Sequence, residues 1–239
     1  MEVVSSEVKY SSGDITIFAY LSRPKEGESF PAILILHGTE GYKKHHEDYA
    51  RKLAENGYVT LAMCWFGCPG GRNSLFDIEL GDISSTVEYL KSLDYVDKNR
   101  IGVIGFSRGA SLAILSACRI RDFKATVEYY GPHTITSAFK KIIQSSPSGQ
   151  EYGIENINGP VLILNGAEDK IVRVEMAYKL EQLLKGHNKV YEIKIYPGVD
   201  HGFNWKVYPR AYNAPAAQDA WNRTVVFFDK YFWATEYRA

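Results

Sequence analysis

One stretch of the sequence, RIGVIGFSRGASLAIL at residues 100–115, restricts the possible folds more than any other. Its first part is a continuous apolar run typical of a strand covered on both faces, and its second part has the composition of a helix. Ser107 stands between them, with Gly105 and Gly109 two positions away on either side. The stretch therefore predicts a strand joined directly to a helix by a sharp turn.

The same alternation of strand and helix continues along the chain. Two β-rich segments, residues 3–10 and 15–22, flank a Ser-Gly-Asp turn that predicts an antiparallel hairpin. Further predicted strands are AILIL, YVTLAM, IGVIGF, ATVEYY, VLILN and VYEIKIY; predicted helices cover about 47–56, 82–93, the segment after Ser107, 175–185 and 216–233. We therefore predict an α/β fold with about eight strands in one mostly parallel sheet, helices on both faces, and a single domain over residues 1–239.

The net charge of the chain is zero, which argues against partners that bind through a strong net electrostatic field. Lys plus Arg number 28 and Asp plus Glu number 28, so neither nucleic acid nor an anionic membrane is favoured. The first residues show no basic segment followed by an apolar run, and no apolar stretch approaches the length of a membrane helix. We expect a cytoplasmic protein, a monomer or homodimer, that binds a small molecule and neither nucleic acid nor membrane.

The three cysteines make an odd number with no spacing typical of a disulfide framework. Cys64 and Cys68 in CWFGC lack the two-residue spacing of a redox or zinc pair, and no second cluster follows. We expect Cys64, Cys68 and Cys118 to be reduced side chains in a core or loop, and we predict no metal site.

Ser107 is the predicted nucleophile. In an α/β sheet, binding sites collect at the carboxyl ends of the strands, and Ser107 lies directly after one. The G-x-S-x-G pattern alone also fits a serine that caps a helix. The strand before it and the helix after it favour a nucleophile, because Gly105 and Gly109 leave room around a strained turn.

A catalytic serine needs a base, and the base needs an anion that orients it. Of the six histidines, His201 in YPGVDHGF follows the last predicted strand and is the predicted base. Asp169 follows the preceding strand and is the predicted acid, with Glu168 and Asp200 as weaker alternatives.

The developing negative charge of an acyl-transfer reaction needs backbone N–H donors that are already in place. Arg108, at the predicted start of a helix, is expected to supply one of them. The loop HGTEG after the strand AILIL is expected to supply the other, with Thr39 as the predicted donor. We interpret His37 in the same loop as a structural residue.

With these residues assembled, the chain resembles the dienelactone hydrolase family of α/β-hydrolases. The resemblance covers nearly the whole length, because LILHGTEG, GDISSTVEYLKSL, VDKNRIGVIGFSRGAS, VLILNGAEDKIV and YPGVDHGF follow the order of that family. The order Ser107, Asp169, His201 is also that of α/β-hydrolases. The resemblance implies the α/β-hydrolase fold without a large cap domain, and hydrolysis of esters or lactones through an acyl-enzyme without a cofactor.

Two features depart from the founding members of that family. Those enzymes carry cysteine at the nucleophile, and they have a glutamate in the first oxyanion loop where this chain has Gly38. They also use arginines to hold a substrate carboxylate, for which Arg72 and Arg210 are candidates here. We therefore expect a general carboxylesterase rather than an enzyme for dienelactone itself.

Several aromatic residues stand next to the predicted site in the sequence, and they predict an apolar pocket of modest size. The residues we expect to contact substrate are Trp65, Arg72, Tyr130 and Phe203. Aromatic residues of this kind also occur in ordinary cores, and an arginine can lie on the surface without contacting a ligand.

Two other functions remain open from the sequence. A small peptidase or a thioesterase is possible, because the prolyl-oligopeptidase branch shares the VDKNRIGVIGFSRG pattern and the same order of triad residues. A non-catalytic binding protein on a hydrolase scaffold is the third interpretation, although such proteins usually lose a member of the triad.

Overall fold

The computed structural model describes residues 1–133 and 153–233. Within these residues, eight strands alternate with five α-helices. The strands are β1 (Val3–Ser12), β2 (Ile15–Pro24), β3 (Phe30–Leu36), β4 (Val59–Cys64), β5 (Val96–Phe106), β6 (Phe123–Tyr129), β7 (Val161–Gly166) and β8 (Tyr191–Tyr196). The helices are α1 (Lys44–Ala54), α2 (Leu80–Lys91), α3 (Arg108–Ala117), α4 (Glu175–Gly186) and α5 (Ala214–Phe232).

All eight strands form one sheet, in the order β1-β2-β4-β3-β5-β6-β7-β8. β1 pairs with β2 and β2 with β4 in antiparallel fashion, and every other pairing is parallel. The prediction of a mostly parallel α/β sheet is confirmed. Because β3 and β5 to β8 run in the same direction, their carboxyl ends meet at one edge of the sheet.

Apolar side chains cover both faces of this sheet. In β3, Ala32, Leu34 and Leu36 belong to one core cluster, and the alternate residues Ile33 and Ile35 belong to the other. The first cluster packs against α2, α3 and α4, and the second against α1 and α5. This double coverage explains why the central strands are continuous apolar runs rather than alternating ones.

The loop after β4 differs from the sequence prediction. Cys64 and Cys68 form a disulfide, with an S–S distance of 2.07 Å, and are not separate thiols. The chain reverses at Gly67, whose φ is 79° and whose N–H donates to the carbonyl of Arg72. This tight turn brings two cysteines only four positions apart within bonding reach, which their spacing did not indicate. Cys118 is a buried free thiol, and burial raises its pKa to about 12.

The sequence indicates a long loop at residues 132–160, with room for short helices over the sheet edge. The described part of it contains one short 3-10 turn, Ile154–Asn156, and residues 134–152 lie outside the described residues. Among the helices of the described residues, none has the length and apolar character required to cross a membrane.

Candidate active site

Ser107 lies in a strained turn between β5 and α3. Its φ is 51° and its ψ is −118°, a conformation that a residue with a side chain rarely adopts. A Cβ on Gly105 would lie 2.2 Å from the carbonyl oxygen of Gly109, and a Cβ on Gly109 would lie 2.3 Å from that of Leu36. The two glycines therefore let the start of α3 pack directly against the end of β3, which fixes Ser107 at the carboxyl edge.

His201 contacts both Ser107 and Asp169. Its Nε2 lies 3.0 Å from Ser107 Oγ, and its Nδ1 lies 2.7 Å from Asp169 Oδ2. An ionised carboxylate can only accept, so Nδ1–H donates to Asp169 and the lone pair of Nε2 faces the serine hydroxyl. Both distances are those of hydrogen bonds, and the one between Nε2 and Oγ is within the reach needed for proton transfer. The structure thus brings together the three residues that the sequence singled out.

Backbone hydrogen bonds hold Asp169 in this position. It is buried in the turn after β7, and its Oδ1 accepts from the N–H groups of Ile171 and Val172 at 2.9 and 2.7 Å. The other oxygen, Oδ2, is thereby left for His201. A carboxylate fixed by its own turn can orient the imidazole without having to be ordered first.

The two alternative acids have other positions. Asp200 Oδ1 accepts from the backbone N–H groups of Lys170 and His201, so Asp200 joins the two loops that carry the acid and the base. These bonds oppose the effect of partial desolvation and lower the pKa of Asp200 below its usual value. Glu168 is exposed at the surface.

The loop after β3 lies directly against Ser107. A Cβ on Gly38 would lie 3.2 Å from the Cβ of Ser107, and the next residue, Thr39, lines the same pocket as Ser107. Arg108 is the first residue of α3, where backbone N–H groups have no acceptor within the helix. The loop that carries Thr39 and the first residue of α3 therefore both lie next to Ser107.

His37 has a position that fits a structural role. Its ring is 1% exposed, stacks on Trp65 and lies with Nδ1 2.8 Å from the carbonyl oxygen of Gly38, to which Nδ1–H donates. Trp65 in turn donates from Nε1 to the carbonyl of His37. Burial lowers the pKa of His37 to about 3, so the ring is neutral near pH 7.

A pocket of about 340 Å³ opens above Ser107 and His201. Its walls are mainly aromatic and aliphatic. The lining residues are Thr39, Glu40, Phe106, Ser107, Tyr130, Ile171, His201, Gly202, Trp205, Tyr208 and Ala211. This volume suits a small acyl or aryl group.

Of the four residues expected to contact substrate, the structure brings only Tyr130 to this pocket. Its ring meets that of His201 edge to face at 4.5 Å, and its hydroxyl donates to Asn204. Trp65 packs beneath the loop after β3, and Phe203 is fully buried in the core. Both residues are close to site residues in the sequence, but their side chains are buried in the core and do not line the pocket.

The two arginines considered as carboxylate ligands also lie elsewhere. Arg72 forms a two-pronged ion pair with the buried Asp82, at 2.9 and 3.0 Å. Arg210 lines a separate polar cleft that it shares with Glu168 and Asp200.

Glu40 was missed by the sequence analysis and is the one carboxylate among the described residues that line the pocket. Glu40 is partly buried, which disfavours ionisation, but the nearby imidazoles of His45 and His46 outweigh burial and hold the pKa of Glu40 well below its usual range. Its Oε1 also accepts from the N–H of Gly38 at 3.3 Å. The only sequence feature that could have indicated Glu40 is its position, as an acidic residue in the loop after a buried strand.

Comparison with known proteins finds relatives that match most of the chain. A protein from Methylorubrum extorquens named "Putative carboxymethylenebutenolidase" is 27% identical over 244 residues, covering 96% of this chain and 82% of that protein. A Bradyrhizobium protein named "Probable 2-oxo-3-(5-oxofuran-2-ylidene)propanoate lactonase" is 27% identical over 223 residues, covering 87% of each chain.

A solved structure has the same fold. The crystal structure of a "Putative Dienelactone Hydrolase" from Klebsiella pneumoniae superposes with a TM-score of 0.82 at 24% identity, covering 97% of this chain and all of that one. The model of the dienelactone hydrolase family matches residues 17–65 and 73–232. The match extends through the turn of Ser107 and the loops of Asp169 and His201. The chain therefore belongs to the dienelactone hydrolase family.

Proposed function

We propose that this protein hydrolyses carboxylic esters or lactones as a serine hydrolase, with Ser107 as nucleophile, His201 as general base and acid, and Asp169 as the group that orients His201. The observation that carries the proposal is the continuous hydrogen-bonded path from Ser107 Oγ through the His201 ring to Asp169, at the floor of the pocket. Family membership supports an ester or lactone as the substrate class.

The first half of the reaction follows from these positions. Ser107 Oγ forms a bond to the carbonyl carbon while its proton passes to His201 Nε2, and the electron pair of the C=O bond moves to the oxygen. The N–H groups of Thr39 and Arg108 stabilise that oxyanion. When the tetrahedral intermediate collapses, the C–O bond to the leaving alkoxide breaks and the alkoxide takes the proton from His201.

The second half repeats these steps with water. His201 Nε2 accepts a proton from water, whose oxygen attacks the acyl-enzyme, and then returns that proton to Ser107 Oγ as the acid leaves. Asp169 stabilises the imidazolium in both halves without accepting its proton. In a lactone the alcohol and the acid belong to one molecule, so the product is a single hydroxy acid.

The pocket favours a compact substrate with no negative charge. None of the described residues that line it is lysine or arginine, and Glu40 adds a carboxylate. A substrate carboxylate would lie near Glu40 without a cation to offset the repulsion. We therefore propose a small neutral ester or lactone.

Covalent labelling and turnover test this proposal together. A series of p-nitrophenyl esters from acetate to octanoate, and an unsubstituted γ-lactone, are assayed with wild type, Ser107→Ala and the control Ser6→Ala, in which the changed serine is exposed on β1. We expect a fluorophosphonate to label wild type and Ser6→Ala but not Ser107→Ala, with turnover of short esters lost in parallel. An unlabelled and inactive wild type contradicts the proposal.

Three further properties are proposed on the sequence alone: a single domain, a monomer or homodimer, and a cytoplasmic location. The disulfide between Cys64 and Cys68 does not support that location, because disulfides are rare in cytosolic proteins. Light scattering of the purified protein tests the oligomeric state, and cell fractionation tests the location.

A further inference from the structure

Three side chains that could bind a metal ion meet beside the Ser107 pocket: Glu40 from the loop after β3, and His45 and His46 from the first turn of α1. His46 Nε2 lies 3.2 Å from Glu40 Oε1, and His45 Nε2 lies 3.9 Å from the same oxygen. One ligand atom from each residue lies within 4.8 Å of the other two. None of them takes part in the proton transfers or the acyl transfer of the proposed hydrolysis.

Both imidazoles have a buried nitrogen that is not hydrogen-bonded within the described residues. The side chain of His46 is 1% exposed and that of His45 13%, and the Nε2 atom of each lacks the geometry of a hydrogen bond, even toward Glu40. A buried polar atom without a partner is costly, so its presence needs an explanation. A ligand placed between the three residues would remove this cost.

Lys43 offers the other ring nitrogen of His46 both a donor and an acceptor. The N–H of Lys43 donates to His46 Nδ1 at 3.0 Å, and the carbonyl oxygen of Lys43 lies 3.2 Å from the same atom. A metal ion on Nε2 requires the ring proton on Nδ1, which then donates to that carbonyl oxygen instead of accepting from the N–H. In that tautomer the lone pair is on Nε2. Histidines that bind metals usually donate their other N–H to a carbonyl or carboxylate, which fixes the ring and its tautomer.

We propose that Glu40, His45 and His46 form a binding site for a divalent cation of the zinc class. Two imidazole nitrogens and one carboxylate oxygen are a set that Zn²⁺ prefers, and Mg²⁺ or Ca²⁺ would require more oxygen ligands. Bonds of about 2.0–2.1 Å in a tetrahedron put neighbouring ligand atoms about 3.3–3.4 Å apart. The observed separations of 3.2 and 3.9 Å are close to this value.

Two cavities border the three side chains. His45 lines a second cavity of about 480 Å³, Glu40 lines the pocket of Ser107, and Trp205 lies in the walls of both. The cluster therefore lies between the two cavities, and a cation held by three side chains would complete a tetrahedron with water. Once bound, the cation offsets the negative charge of Glu40 in the wall of the Ser107 pocket, so the preference for a neutral substrate that we derive from Glu40 applies to the metal-free protein. The inference does not depend on the proposed hydrolysis.

Direct binding measurements test the site without any assay of turnover. Chelator-treated, dialysed protein is titrated with Zn²⁺ by calorimetry and with Co²⁺ by visible absorption, for wild type, Glu40→Gln and His45→Ala. Wild type should bind about one equivalent, with the intense visible bands of four-coordinate Co²⁺. Each variant should bind at least about 100-fold more weakly, because it lacks a ligand.

Two control variants separate this site from other histidines. His187→Ala removes an exposed histidine, and His201→Ala removes the imidazole beside Ser107; both should bind Zn²⁺ as wild type does. Thermal denaturation without metal establishes that each variant is folded, and either Glu40→Gln or His45→Ala alone suffices for the test. The proposal is overturned if wild type binds no equivalent of Zn²⁺, or if binding is lost in His201→Ala and kept in Glu40→Gln and His45→Ala.

Discussion

Replacing His37 with glutamine should make the stability of the protein less sensitive to acid. In the folded protein His37 Nδ1–H donates to the carbonyl of Gly38, and Nε2 is buried with no hydrogen-bond partner in the described part of the chain. Protonation of Nε2 would bury a positive charge and an unpaired donor. Burial accordingly lowers the pKa of His37 from 6.5 to about 3.

The size of the effect follows from this difference in pKa. In the unfolded chain His37 gains a proton near pH 6.5, whereas in the folded protein it does so only near pH 3. Between these values the unfolded state binds more protons, so the free energy of unfolding falls as the pH falls, by up to about 1.4 kcal/mol per pH unit. Integration from pH 6 to pH 4 gives a loss of about 2.5 kcal/mol from His37 alone.

Urea denaturation at pH 6, 5 and 4 measures this loss. Wild type should lose about 2.5 kcal/mol more than His37→Gln between pH 6 and pH 4, whatever the difference between them at pH 6. His187→Gln is the matched control, because His187 is exposed, and should follow wild type. If wild type and His37→Gln lose stability in parallel, His37 does not stay neutral in the folded protein and the reasoning is wrong.

Three further substitutions test other parts of the structure. Asp169→Asn should lower kcat by about 10⁴-fold in an ester assay while the melting temperature changes little, because an amide favours the wrong tautomer of the base; unchanged kcat would exclude its orienting role. Gly109→Ala should lower the melting temperature strongly, because its Cβ would lie 2.3 Å from a backbone oxygen, whereas Gly81→Ala, with no atom within 4 Å, should not. Replacing Cys64 and Cys68 with serine should reduce the free energy of unfolding by about 2 kcal/mol, as expected for a short closed loop, and an equal stability of the two proteins in denaturant would contradict that estimate.

The fold could be predicted from the sequence because its strands are buried on both faces. Short continuous apolar runs such as AILIL and VLILN are typical of strands in the middle of a parallel sheet. The glycines on either side of Ser107 indicate a sharp turn from strand to helix. Asp169 and His201 were predicted to lie near Ser107 from topology, since each follows a strand of the parallel sheet and so reaches the same edge.

The pocket could not be predicted in the same way, because the direction of a side chain in a loop depends on tertiary contacts. Trp65 and Phe203 lie beside the site in the sequence but point into the core, whereas Tyr208 and Ala211 enter the pocket from farther along the chain. The disulfide was missed because Cys68 reaches Cys64 only through a turn whose geometry the spacing does not encode.

The three residues of the proposed triad follow three different strands. His201 is hydrogen-bonded to Ser107, 94 positions earlier in the chain, and to Asp169, 32 positions earlier. Pairings between such distant segments form slowly and after local structure. During synthesis, β5 and α3 are complete well before β8 leaves the ribosome, so the nascent chain carries the serine without the proposed base. Esterase activity regained during refolding should therefore report the docking of β8, and lag behind the recovery of helical content.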